Sequence, residues 1–146
     1  MIYTSKNILP LKEERKKYYF LAGSMDFNES NSWRQKIMQE MKHLVHFLDA
    51  TRIEHNDFSD SQMKEHIEWE LDALIISDKI ILNFKEDSKS PISILELGMY
   101  VKSSKLVVVC PNKFYQRRYI NVLCNKYNTP FFDSFDEAIE YLKKEF

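Results

Sequence analysis

Short apolar runs alternate with longer amphipathic stretches along almost the whole chain. Tyr18 to Ala22 is an aromatic and aliphatic run that stops at Gly23-Ser24, the pattern of a buried strand ending in a tight turn. Trp33, Ile37, Met41 and Leu44 then recur at helical spacing behind Asn31 or Ser32, either of which can cap a helix. Val45 to Ala50 predicts a second strand. Beyond a polar loop with Asn56, Asp57, Ser59 and Asp60, a second helix is expected, capped by Asp60 or Ser61. Ile67, Leu71, Leu74 and Ile75 share one face of it, and it ends near Ser77. Lys79 to Phe84 is the third strand, and its unbroken Ile80-Ile81-Leu82 implies burial on both sides, as in a parallel sheet. Ser90-Pro91 reads as a helix start, a capping hydroxyl followed by proline at the first helical position, with the helix running to about Val101. Lys105 to Cys110, rich in valine and ended by Pro111, is the fourth strand. Arg117 to Tyr127 is helical, Thr129 to Phe132 is a short fifth strand, and Ser134 caps a last helix carrying Phe135, Ala138, Ile139 and Leu142.

Strands alternating with helices define an α/β class with a parallel sheet, and right-handed crossovers place helices on both faces. Five strands predict a flavodoxin-like three-layer sandwich with strand order 2-1-3-4-5. Residues 1–17, polar and broken by Pro10, are expected to form an N-terminal arm, and residues 18–146 a single domain. Ligands of such sheets bind beyond the carboxyl ends of the strands, so the loops after Ala22, Phe84 and Cys110 should build the site.

Composition narrows the chemistry. The 146 residues are 44% hydrophobic and 29% charged, with a net charge of -1. That is a globular composition without the positive field that draws in a nucleic-acid backbone, so no nucleic-acid partner is expected. The basic cluster from Lys12 to Lys17 is interrupted by Glu13 and reads as solvated; the pair Arg117 and Arg118 is most simply a surface feature. Two cysteines, Cys110 and Cys124, make no disulfide framework, and no zinc-ligand spacing is present. His43, His46, His55 and His66 show no ligand pattern. Only Gly23 and Gly98 are glycines, too few for a dinucleotide fingerprint or a Walker loop. No stretch is apolar enough to span a membrane, and the polar start lacks a signal-peptide core, so a cytoplasmic location is expected.

Three pieces fall on one predicted sheet edge: Phe20-Leu21-Ala22-Gly23-Ser24, Glu70 through Asp78, and Ser93-Ile94-Leu95-Glu96-Leu97-Gly98. In order and spacing, with Glu70 eight positions before Asp78, they resemble the nucleoside 2-deoxyribosyltransferase family. Trp69-Glu70, Ser90-Pro91-Ile92-Ser93, Cys110-Pro111 and Asn121-Val122 resemble a deoxyribosyltransferase-like branch of it. The resemblance implies that Glu96 is the nucleophile and Glu70 the group that contacts and protonates the leaving base. It implies sugar-binding places for Ser90, where the family has its aspartate, and for Asn121, in its own or a neighbouring subunit. The residues themselves add Gly23, where backbone can approach a ligand, Ser24, whose hydroxyl can donate to a sugar or phosphate, and Asn83, which ends the third strand on the ligand side. The resemblance also implies a homo-oligomer of dimeric units, with Phe114, Tyr115 and Tyr119 as candidate interface aromatics. No cofactor and no metal are implied.

The chemistry suits two carboxyl groups. Cleaving an N-glycosidic bond builds positive charge on the sugar, which a carboxylate at the anomeric carbon can trap, while a second carboxyl supplies the proton the base needs as it leaves. A carboxylate in the apolar company of Ile92, Leu95, Leu97 and Met99 needs a purpose. Asp78, by contrast, reads as a helix-end or turn residue. Two positions depart from the family pattern: Phe20 stands where a tyrosine is usual, and Ser90 where an aspartate is usual. Transfer of deoxyribose to a second base, hydrolysis of a nucleoside or its 5′-monophosphate, and non-catalytic nucleotide binding are therefore all compatible with the sequence.

Overall fold

The computed structural model describes residues 1–13, 15–23, 32–51 and 57–146. Its elements, in chain order, are β1 (Ile2–Thr4), β2 (Lys17–Gly23), α1 (Trp33–Met41), β3 (Val45–Asp49), α2 (Asp60–Ile76), β4 (Lys79–Asn83), α3 (Pro91–Tyr100), β5 (Leu106–Val109), α4 (Arg117–Lys126), β6 (Phe131–Phe132) and α5 (Phe135–Lys143). The strands form one parallel sheet in the order β1-β3-β2-β4-β5-β6. Without β1 this is the expected flavodoxin-like order. The sixth strand comes from the segment read as an irregular arm: Ile2, Tyr3 and Thr4 pair with Phe47, Leu48 and Asp49. An edge strand of three residues leaves no apolar run to detect, because no neighbour buries its outer side.

The chain divides into two compact units, one of Met1–Leu21 and Met25–Asp78, the other of Ala22–Ser24 and Lys79–Phe146. In the first, β2 and β3 run in register from Lys17 opposite Val45 to Leu21 opposite Asp49. Tyr18 through Leu21, Val45, Phe47 and Leu48 are all buried, as expected of strands covered on both faces. Ser32 caps α1 by accepting the Gln35 N–H at 3.3 Å; Asn31, the other expected cap, lies outside the described residues. The cap of α2 is Ser59 rather than Asp60 or Ser61: Ser59 accepts the Gln62 N–H at 3.2 Å while Gln62 accepts the Ser59 N–H at 2.9 Å, a reciprocal capping box. Asp78 is a structural stitch. It accepts the Tyr18 N–H at 2.8 Å, donates its own N–H to the Tyr18 carbonyl at 2.7 Å, and pairs with Lys12 at 2.5 Å.

The buried face of α2 is not the one its hydrophobicity predicts. His66, Trp69, Ala73 and Leu74 are buried, while Ile67, Leu71 and Ile75 are exposed. The helix carries two stripes, and the one containing the Trp69 indole and the His66 imidazole packs inward.

In the second unit, β4 and β5 pair from Ile80 opposite Leu106 to Asn83 opposite Val109, and Val108 and Val109 pair with Phe131 and Phe132. Ser134 caps α5, whose Ala138, Ile139 and Leu142 are buried. Arg117 serves the fold: its guanidinium donates to the Cys110 carbonyl and to Asp133 at 2.6 Å, and lies 4.6 Å from the Phe131 ring centre. Phe114, expected at the surface, is buried against Phe84 with ring centres 4.7 Å apart. Cys110 and Cys124 are buried free thiols, pushed up by desolvation to about 11 and about 12, so both stay protonated and inert near neutral pH.

Candidate active site

Within the second unit, β2 and β4 deliver Gly23 and Asn83 side by side. Gly23 has φ of +128°, and a Cβ there would stand 2.1 Å from the Asn83 carbonyl oxygen. The glycine is therefore demanded by the backbone of the neighbouring strand, before any ligand is considered. Asn83 is buried at the carboxyl end of β4, opposite Val109 at the end of β5. Ser24 lies outside the described residues.

The chain then climbs to α3 through Ser88, Lys89 and Ser90. Ser90 occupies the N-cap position with Pro91 next to it, but it makes no side-chain cap. Its backbone is left-handed, φ 46° and ψ 56°, and its hydroxyl meets that of Ser88 at 2.8 Å instead. A left-handed serine costs about 1–2 kcal/mol relative to ordinary helical geometry. Tyr115 braces the same turn by donating to the Lys89 carbonyl at 2.9 Å.

Helix α3 turns Ser93, Glu96 and Leu97 inward. Glu96 is 5% exposed, whereas Ile92, Leu95 and Met99 are 58%, 63% and 54% exposed. The helix thus does the reverse of what its composition favours: it withdraws a carboxylate and presents aliphatic side chains to solvent. Burial of an ionisable carboxyl costs several kcal/mol unless the site offers compensation, which makes Glu96 a candidate functional group. Tyr100, one turn after Glu96, has its phenol pushed up by burial and then by the Glu96 charge, and so stays a hydroxyl donor. The spacing Glu96-x-x-x-Tyr100 is visible in the sequence but carries no motif, and was not among the expected site residues.

Asn121 is half-buried on α4, where the Asn125 amide donates to it at 3.4 Å. Between α3 and α4 runs an open groove of about 440 Å³, lined by Leu97, Gly98, Val101, Ile120 and Leu123 among others.

The other carboxyl, Glu70, belongs to α2 in the first unit. Its side chain is 18% exposed, with an oxygen 3.9 Å from Nε2 of buried His66, one turn earlier. Among the described residues, no group of three or more histidine, cysteine or acidic side chains is placed to hold a metal ion, and no helix is long and apolar enough to cross a membrane.

A family model described as nucleoside 2-deoxyribosyltransferase like matches residues 16–114, which include Gly23, Glu70, Asn83, Ser90 and Glu96 but not Asn121. A comparison with curated proteins returns no match.

Proposed function

The chain belongs to the nucleoside 2-deoxyribosyltransferase-like family, and from that premise we propose that it cleaves the N-glycosidic bond of a 2′-deoxynucleoside, or of its 5′-monophosphate, through a deoxyribosyl-Glu96 intermediate. The observation that carries this reading is the burial of Glu96 on a helix whose Ile92, Leu95 and Met99 face water. In the first step a Glu96 oxygen bonds to the anomeric carbon as the bond to the base nitrogen breaks, and Glu70 gives its proton to the departing base. In the second step the nitrogen of another base attacks the anomeric carbon, its proton passes to Glu70, and Glu96 is released. Gly23, Ser24, Asn83, Ser90 and Asn121 are proposed to hold the sugar and its substituents.

Hydrolysis is the second reading, and Ser90 favours it. A hydroxyl already bonded to Ser88 stands where the family usually places an aspartate for the sugar, so the sugar site is rebuilt and water becomes a plausible acceptor. Incubating the protein with 2′-deoxyinosine and free adenine separates the two. New 2′-deoxyadenosine means transfer, and hypoxanthine with free deoxyribose means hydrolysis. If a panel of deoxynucleosides and their monophosphates gives neither, and one of them only binds, the enzyme reading falls to the binding-module alternative.

A homo-oligomer built on α3 and α4 is also proposed. Ile92, Leu95 and Met99 on α3 and Tyr119 and Val122 on α4 are exposed beside the groove that Gly98 leaves open. Five such side chains, on the order of 100 Å² each, supply most of the ~800 Å² per partner that a standard interface buries. The face offers both a ridge and a groove, as a two-fold contact requires. Light scattering at micromolar concentration is expected to give a dimer or a multiple of it, and Leu95→Glu with Met99→Glu to give monomers. A monomeric wild type removes the proposal.

A further inference from the structure

Two polar contacts of the N-terminal segment reach the residues of α2 that precede Glu70. Ser5 Oγ lies 2.8 Å from His66 Nδ1, and the Trp69 indole N–H donates to the Asn7 carbonyl at 3.0 Å. The turn that presents both is closed on itself: Asn7 N–H donates to the Thr4 carbonyl and Thr4 N–H to Asn7 Oδ1, each at 2.9 Å. His66 is buried, with the Phe58 ring edge-on at 5.6 Å between centres. The two side chains that flank Glu70, one turn before it and immediately before it, are thus fixed from a segment that lies outside the matched residues 16–114.

A buried imidazole needs partners for its polar atoms, and a hydroxyl at one ring nitrogen fixes the orientation of the other. Here the other nitrogen faces Glu70. A general acid is effective only when held within hydrogen-bond reach of the atom it protonates, and a glutamate with three free torsions loses that reach readily. We propose that His66, locked by Ser5, is a positioning residue for Glu70, and that the N-terminal turn thereby sets how efficiently the leaving base is protonated. This rests on the reading of Glu70 as the acid.

The test compares 2′-deoxyinosine with 7-methyl-2′-deoxyguanosine, whose base is already cationic and departs without a proton. His66→Asn keeps an amide near Ser5 but nothing facing Glu70. It is expected to lower kcat on deoxyinosine about 10-fold, with KM and the rate on the cationic nucleoside changed less than about 2-fold. His66→Gln, whose longer amide extends toward Glu70, should recover part of the loss. Ser5→Ala should show the same selectivity in weaker form, and it decides the matter alone if the His66 variants do not fold. Equal losses on both nucleosides, or no loss on either, overturn the assignment. Glu70→Gln separates the two levels. If it shows the leaving-group dependence and the His66 and Ser5 variants do not, only the positioning role fails. If Glu70→Gln lacks it, or the wild type cleaves neither nucleoside, the reading of Glu70 fails and the positioning role with it.

Discussion

Glu96→Gln is expected to lower nucleoside cleavage by three orders of magnitude or more while leaving the protein folded. A glutamine has the shape and volume of the glutamate it replaces, so the inward face of α3 with Ser93 and Leu97 keeps its packing. What it lacks is the negative oxygen that, in the proposed reaction, meets the anomeric carbon as positive charge develops there. A loss of ~10³ corresponds to about 4 kcal/mol of transition-state stabilisation, a magnitude that a lost covalent nucleophile reaches and a lost surface charge does not. Glu96→Ala should be equally inactive but partly rescued by formate, which can enter the space left by the side chain and act as the carboxylate. Exchange or hydrolysis by Glu96→Gln at more than about a tenth of the wild-type rate would rule out the nucleophile assignment. Melting curves of the two proteins within a few degrees of each other make the kinetic comparison valid.

The burial of Glu96 was legible in the sequence, but not for the reason the composition suggests. Ile92, Leu95 and Met99 argue for a helix apolar all round, and all three face solvent. Glu96 is buried because it and Leu97 follow Ser93 by three and four residues, the spacing that sets all three on the covered side of α3. The same ambiguity inverted α2, where Ile67, Leu71 and Ile75 outweigh His66 and Trp69 on any hydrophobic scale yet lie outside. Both errors have one physical source. Amphipathicity identifies the faces that avoid water, without telling which are covered by the chain itself and which are left for another molecule. The inner strands were freer of this problem, because a parallel sheet covered on both sides favours continuous apolar runs. Lys79–Asn83 and Leu106–Val109 accordingly fall within the expected boundaries. The polar supports of the candidate site were the least visible. Ser5 sits in a stretch with no periodicity, and Ser90 carries the composition of a cap while its hydroxyl serves Ser88.

The two glycines should respond to alanine with opposite signs. At Gly23 a methyl group meets the Asn83 backbone oxygen at 2.1 Å, far inside van der Waals contact, on a residue whose φ of +128° L side chains rarely adopt. Neither strand end can give way cheaply: Asn83 is held in register with Val109, and the next residue, Phe84, donates its N–H to the Val109 carbonyl at 2.9 Å. Adding the backbone strain to the overpacking gives a destabilisation of about 3 kcal/mol or more, which for a chain of this size lowers the melting temperature by about 10 °C. At Gly98 no described residue outside its own helix backbone stands within 4 Å of the added carbon, and the residue is inside a helix, where glycine costs about 0.5–1 kcal/mol relative to alanine. Gly98→Ala should therefore raise the stability of the isolated protomer by about that amount. The described residues give no packing reason for this glycine. If a second copy approaches α3 there, the same substitution should weaken the dimer even as it stabilises the protomer. Chemical denaturation and sedimentation of one variant would then move in opposite directions. A Gly98→Ala protein that is more stable and dimerises as well as wild type places the interface elsewhere. A Gly23→Ala protein that melts with the wild type shows that β2 and β4 can separate at their ends at little cost.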